Sequence, residues 1–153
     1  IPLFVTNALE DQPLPLYGDG LQQRDWLYVQ DHCEGIALVL EKGEPGQVYN
    51  VGVGEERPNR EVAEAILGLL GKPGSLMRHV TDRPGHDRRY ALDCGKVAKL
   101  GWSPRVPFGE ALKATVAWYR DNAWWWHKIK SGEFRAYYEK MYGARLRDAQ
   151  GGR

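Results

Sequence analysis

Asp82-Arg83-Pro84-Gly85-His86-Asp87-Arg88-Arg89-Tyr90 is the stretch on which the reading of this chain turns. Pro84-Gly85 is a turn signal, so the run bends and does not continue as a helix. A bend can point Arg83 and His86 into one space. Arginine offers a planar fork of donors that matches two phosphate oxygens at once. Asp82 and Asp87 can hold the arginine heads or bond a ligand hydroxyl. So polar a loop is costly to order unless something uses it, although a solvated charged loop is the plainer alternative. Immediately before it, Met77–Val80 reads as a short strand. After it, residues 90–93 are extended, and residues 94–100 form a short helix closed by Gly101.

Working outward, residues 1–9 read as a helix broken by Pro13. Leu14-Pro15-Leu16-Tyr17 alternates like a strand, and its proline points to a sheet edge. Gly18-Asp19-Gly20 is a turn, and residues 25–29 read as a second strand. Asp31 precedes an amphipathic helix with Ile36, Val39 and Leu40 on its core face, ending near Lys42-Gly43. Residues 47–51 are β-branched and aromatic and read as a strand. Asn59 then caps a helix carrying Val62, Ile66, Leu69 and Leu70, which Gly71 ends. Phe108, Leu112, Val116 and Tyr119 recur at helical spacing. Phe134, Tyr137, Tyr138, Met141 and Tyr142 do so again in the tail. The expectation is a small mixed α/β domain: a helix over 1–12, a binding domain over 13–123 and a helical tail over 124–153.

At 153 residues the chain is long enough for one modest core. Apolar content of 42% and charged content of 27% fit a soluble globular protein. A net charge of +1 gives no global field favouring nucleic acid or membrane. Cys33 and Cys94 lie far apart without metal-type spacing. They read as free, buried or half-buried thiols suited to a reducing cytosol. His32, His79 and His127 are isolated, and no metal set is visible. No run is apolar enough to span a bilayer. Gly52-Val53-Gly54 lacks the third glycine of a dinucleotide fingerprint, and neither Tyr119 nor Tyr138 has a lysine four residues on.

The central run, with Ala91-Leu92-Asp93 and Leu100-Gly101-Trp102, resembles the dTDP-glucose 4,6-dehydratases of the extended short-chain dehydrogenase/reductase superfamily. Two further matches accompany it. One is Tyr17-Gly18-Asp19-Gly20 with Arg24-Asp25-Trp26-Leu27-Tyr28-Val29 and Asp31-His32. The other is Val48-Tyr49-Asn50-Val51-Gly52. Many extended reductases share the first of these, whereas the central run is specific to the dehydratases. The resemblance covers nearly the whole chain and is to the family's carboxy-terminal, substrate-binding part, with the Rossmann half missing. Ile1 stands where Met would open a chain, and residues 1–9 read as a helix entered from upstream, so a piece of a longer polypeptide is expected.

The resemblance implies dTDP-glucose as substrate, NAD bound by the missing upstream half, a homodimeric parent in the cytoplasm, and no catalytic residue within this piece. It also implies which residues grip the nucleotide. Pro15, Leu16 and Tyr17 match the segment along the base, although core packing explains Leu16 and Tyr17 as well. Arg24 matches the diphosphate-binding arginine; spacing alone equally allows a surface arginine paired with Asp25. Asn50 matches a substrate position, against the common use of asparagine to bond its own loop. Asp82, Arg83, Pro84, Gly85 and His86 match a second substrate-contacting segment, with Arg83 and His86 facing phosphate or ribose. Arg88 and Arg89 read as structural, bridging to acidic neighbours. Trp124-Trp125-Trp126 with Lys128 and Lys130 invites a nucleic-acid stacking platform. The balanced charge and the helical setting favour packing instead. A UDP-glucose 4,6-dehydratase or related epimerase is the second enzyme reading.

Overall fold

Pro2 enters the first helix where a missing N–H leaves nothing unpaired, and α1 runs Pro2–Leu9. The computed structural model describes residues 1–151. Strand β1, Leu14–Tyr17, follows. Then come β2, Gln23–Asp25, and α2, Val29–Lys42. Next are β3, Glu56–Pro58, α3, Asn59–Leu70, and β4, Met77–Val80. A short α4, Gly95–Ala98, precedes α5, Phe108–Asp121. The tail holds α6, Ala123–Lys130, and α7, Glu133–Tyr138, followed by a π turn and α8, Ala144–Gly151. Gly152 and Arg153 of the expected tail lie outside the described residues.

Two small sheets position everything else. β1 pairs in parallel with β4, setting Leu14 opposite Met77 and Tyr17 opposite Val80. β2 pairs antiparallel with β3, setting Arg24 opposite Arg57. The core lies where α1, α3 and α5 meet β1. It is built from Val5, Ala8, Leu14, Val62, Ala63, Ile66, Leu67, Leu112 and Val116. The helical periods of α3 and α5 put these apolar residues on one stripe each, and their burial supplies the main drive for folding. The tail is tied back to α1. Trp126 is buried and its indole donates to Tyr119 O at 2.7 Å, and Lys130 Nζ donates to Asn7 Oδ1 at 3.0 Å. Trp124 and Trp125, in contrast, remain exposed.

Several expectations are corrected. The second strand lies at Gln23–Asp25, not over 25–29. Its ladder stops because Asp25 turns its carboxylate to the amides of Val53 and Gly54, both at 3.0 Å, and the chain enters α2 at Val29. Residues 47–51 form no strand, since no neighbouring strand meets them among the described residues; Val48 is exposed. Ile36 and Leu40 are not core: they are 52% and 87% exposed. α2 packs through another edge, where Asp31 O accepts from the Trp102 indole at 3.1 Å and the Asp31 carboxylate accepts from the amides of Arg105 and Val106. Asn59 is the first residue of α3 and Pro58 holds the cap position. Cys33 is exposed rather than buried, and Cys94 is half-buried.

Candidate functional site

The site begins at the turn after β1. Gly18 and Gly20 take positive φ of 54° and 75°, a region that side chains with a Cβ avoid. A Cβ on Gly20 would also stand 2.5 Å from Leu16 Cδ2. The turn is fastened to the arginine run, since Asp19 accepts two bonds from Arg88, at 2.8 and 3.0 Å. Past the turn, Gln22 O and Gly20 O accept from Asn59 and Arg60 at the start of α3. The run itself is stitched beside β2. Gln23 N–H donates to Arg88 O at 2.8 Å, and Tyr90 N–H donates to Gln23 O at 3.2 Å. These backbone bonds bring residues more than sixty positions apart in sequence into one layer.

Within that layer the run folds over itself at Pro84-Gly85, with Gly85 at φ 66°. Asp82 Oδ1 accepts from the His86 ring at 2.6 Å and from Arg83 N–H at 2.8 Å, while Oδ2 accepts from Gln22 Nε2 at 2.8 Å. The hydrogen bond from His86 is the main reason the Asp82 carboxyl lies below its usual value. With the proton on Nδ1, His86 Nε2 is left to accept from Arg24 Nη2 at 3.2 Å. The Arg24 guanidinium also donates to Asp87 O at 3.0 Å and lies 4.0 Å over the Tyr90 ring. The Tyr90 hydroxyl donates to the Asp87 carboxylate at 2.6 Å, and that bond holds its pKa up. Tyr17 meets the His86 ring edge-on, with centroids 5.6 Å apart.

The structure thus brings Tyr17, Arg24, Asp82 and His86 together. Pro15 and Leu16 are buried in β1 beneath them. Arg83, Pro84 and Gly85 form the exposed rim of the loop. Asn50 is exposed and donates to Asp93 O at 3.1 Å, outside this cluster of bonds. Arg24 is not paired with Asp25. Arg88 and Arg89 do bridge to acids, Asp19 and Glu56 respectively. Sequence reasoning missed Gln22, which is buried at 2% exposure and holds Asp82 in place. Its only signal was a position two residues after the glycine turn. It also missed Tyr90 as the platform under Arg24 and Arg145 as a neighbour of Tyr17.

The Arg24 guanidinium beside the His86 ring can meet a polyanion by exchanging its bonds to His86 Nε2 and Asp87 O for ligand oxygens. The Gly52-Val53-Gly54 loop does not suit a dinucleotide, because the amides of Val53 and Gly54 are already given to Asp25. Among the described residues, no group of three or more His, Cys, Asp or Glu side chains is placed to hold a metal, and no helix is long and apolar enough to cross a membrane.

The chain belongs to the family described as GDP-mannose 4,6 dehydratase, whose model matches residues 1–115. Within it the chain is similar to the dTDP-glucose 4,6-dehydratase of Streptomyces niveus, at 52% identity over 132 residues; these cover 86% of this chain and 39% of that protein. A crystal structure of the Streptomyces venezuelae dTDP-glucose 4,6-dehydratase with NAD bound superposes with a TM-score of 0.81 at 51% identity, covering 84% of this chain and 40% of that one. The UDP-glucose 4-epimerase of Thermotoga maritima, solved with UDP-glucose, gives a TM-score of 0.74 at 30% identity, over 79% of this chain and 39% of that one. The chain therefore spans about 40% of the length of the relatives it matches.

Proposed function

We propose that this chain is the nucleotide-holding, carboxy-terminal part of a dTDP-glucose 4,6-dehydratase, the NAD-dependent lyase of deoxysugar biosynthesis that converts dTDP-glucose to dTDP-4-keto-6-deoxyglucose. The observation that carries the reading is the contact of Arg24 with His86, locked from behind by Asp82 and Gln22. In this reading Arg24, Arg83 and His86 serve the diphosphate and ribose, and Asn50, outside that cluster, reaches the substrate by exchanging its bond to Asp93 O. Pro15, Leu16 and Tyr17 lie along thymine, and Asp82, Pro84 and Gly85 shape the loop. The names of relatives at about half identity support dTDP as the nucleotide. NAD, held by the upstream half, supplies hydride transfer. This chain contributes binding energy that positions the sugar for it. The parent is a cytoplasmic homodimer, and the chain divides into an entry helix at 1–12, the binding domain at 13–123 and a tail at 124–153.

Two measurements test the reading. This chain alone, mixed with dTDP-glucose and NAD, forms no 4-keto product; sustained turnover refutes the division of labour. In the full-length protein that contains this chain, dTDP competes better than UDP. Equal inhibition favours the second reading, a UDP-glucose 4,6-dehydratase or related epimerase, for which the likeness to the Thermotoga enzyme speaks.

A further inference from the structure

The tail makes a contact that the binding reading does not use. Arg145, on α8, places its guanidinium carbon 5.4 Å from the centroid of the Tyr17 ring. Its Nη1 donates both to the Tyr17 hydroxyl at 3.2 Å and to Met141 O at 3.0 Å, so the head is held from the π turn before its helix while it grips the ring. Tyr142 stands on another side of the same ring, with centroids 6.1 Å apart. Burial first, and then the neighbouring Tyr17, drive the Tyr142 hydroxyl well above the ordinary tyrosine pKa, so it stays a neutral partner. Tyr138 packs at a tilt against Tyr142, with centroids 5.0 Å apart, and its hydroxyl accepts from the buried Asn7 amide at 3.0 Å. Asn7 also donates to Pro13 O at 2.7 Å, immediately before β1. The tail thus meets the β1 segment at two places four residues apart: Pro13, whose carbonyl also accepts from the Tyr138 hydroxyl at 3.4 Å, and Tyr17.

We propose that Arg145 is a positioning residue for nucleotide recognition: it fixes the Tyr17 ring, and through it the base end of the site, so that the carboxy-terminal helices belong to the binding apparatus. The proposal rests on the reading above that residues 15–17 lie along the base. Tyr17 is half-buried and already touches His86 at its edge, so one ring links the base end to the phosphate end. Left ungripped, a tyrosine at a strand terminus samples other rotamers, and ordering it would then fall to the ligand. A cation over the ring and a bond to its hydroxyl remove that freedom before binding.

The test uses the full-length protein that contains this chain and titrates dTDP and UDP by calorimetry. Arg145→Ala weakens dTDP by about five- to tenfold, the size of one cation–π contact plus one hydrogen bond. UDP weakens less, so the preference for dTDP shrinks. Arg145→Lys, which keeps a cation over the ring, restores part of the preference. In Tyr17→Phe, which lacks the hydroxyl, adding Arg145→Ala has a smaller effect than in the parent. Arg24→Ala serves as a reference and weakens both nucleotides alike. If Arg24→Ala weakens both and Arg145→Ala alters neither affinity, the inference is overturned while the binding reading stands. An equal loss for both nucleotides in Arg145→Ala also overturns it, since a general loss of structure would give that. If the parent shows no preference for dTDP at all, the binding reading falls and the inference with it.

Discussion

Replacing Arg24 by alanine separates two duties that the structure gives one side chain. Its Nη2 donates to Asp87 O and touches His86 Nε2, its Nη1 donates to Gln23 O at 2.6 Å, and its plane covers Tyr90. These contacts hold the arginine run against β2. The cation–π contact is worth about 0.5–1 kcal/mol at so exposed a ring, and the hydrogen bonds add on the order of 1 kcal/mol net. Arg24→Ala should therefore lower stability by about 1–2 kcal/mol, a shift of a few degrees in a thermal melt. Loss of dTDP affinity should be larger, roughly 2–4 kcal/mol, because a charged partner of the diphosphate is gone and the phosphate charge is left unpaired. Arg24→Lys should restore most of the melt, since an ammonium can still reach Asp87 O and cover Tyr90. It should restore only part of the affinity, since it cannot reproduce the fork. The assay is calorimetric titration of the full-length protein with dTDP beside a melt of each variant. Unchanged affinity in Arg24→Ala would refute the assignment and leave the phosphate to Arg83 and His86. A melt lowered by tens of degrees would show that Arg24 is structural before anything else.

Two further outcomes follow from the same contacts. Ile66 is fully buried among α1, α3 and α5, so Ile66→Ala should cost about 2–5 kcal/mol of stability, read from the denaturation midpoint. A neutral result would mean that the core is not where α3 places it. Asp82 has a folded pKa below its ordinary value of 3.8, chiefly through His86. A carboxyl depressed in this way stabilises the fold fully above pH 3.8 and loses that contribution as pH falls through the folded value. The stability gap between the parent and Asp82→Asn should thus be constant at neutral pH and close below pH 3.8. A gap that persists unchanged at lower pH would disconnect it from Asp82 ionisation.

Much of this chain was written locally. Proline at the start of α1, glycine after α3 and the apolar stripes of α3 and α5 are short-range patterns whose outcome depends on residues three or four apart. The bend at Pro84-Gly85 and the turn at Gly18-Asp19-Gly20 belong to the same class, because a glycine, lacking a Cβ, admits positive φ without a clash. The tertiary structure decided what depends on a neighbour. A strand exists only where another strand accepts its bonds, which is why β2 sits at Gln23–Asp25 beside β3 and why residues 47–51, though β-prone, form none. An amphipathic helix buries its apolar face only if something covers it, and Ile36 and Leu40 stay exposed here while Asp31 and Gly35 make the contact. The sequence named Tyr17, Arg24, Asp82 and His86 as separate candidates. Their convergence came from parallel pairing of β1 with β4 and from the bonds between Gln23 and the arginine run. Gln22 carried only its place after the glycine turn and Arg145 no local mark, because a buried amide and a cation over a ring acquire their roles only from what packs beside them.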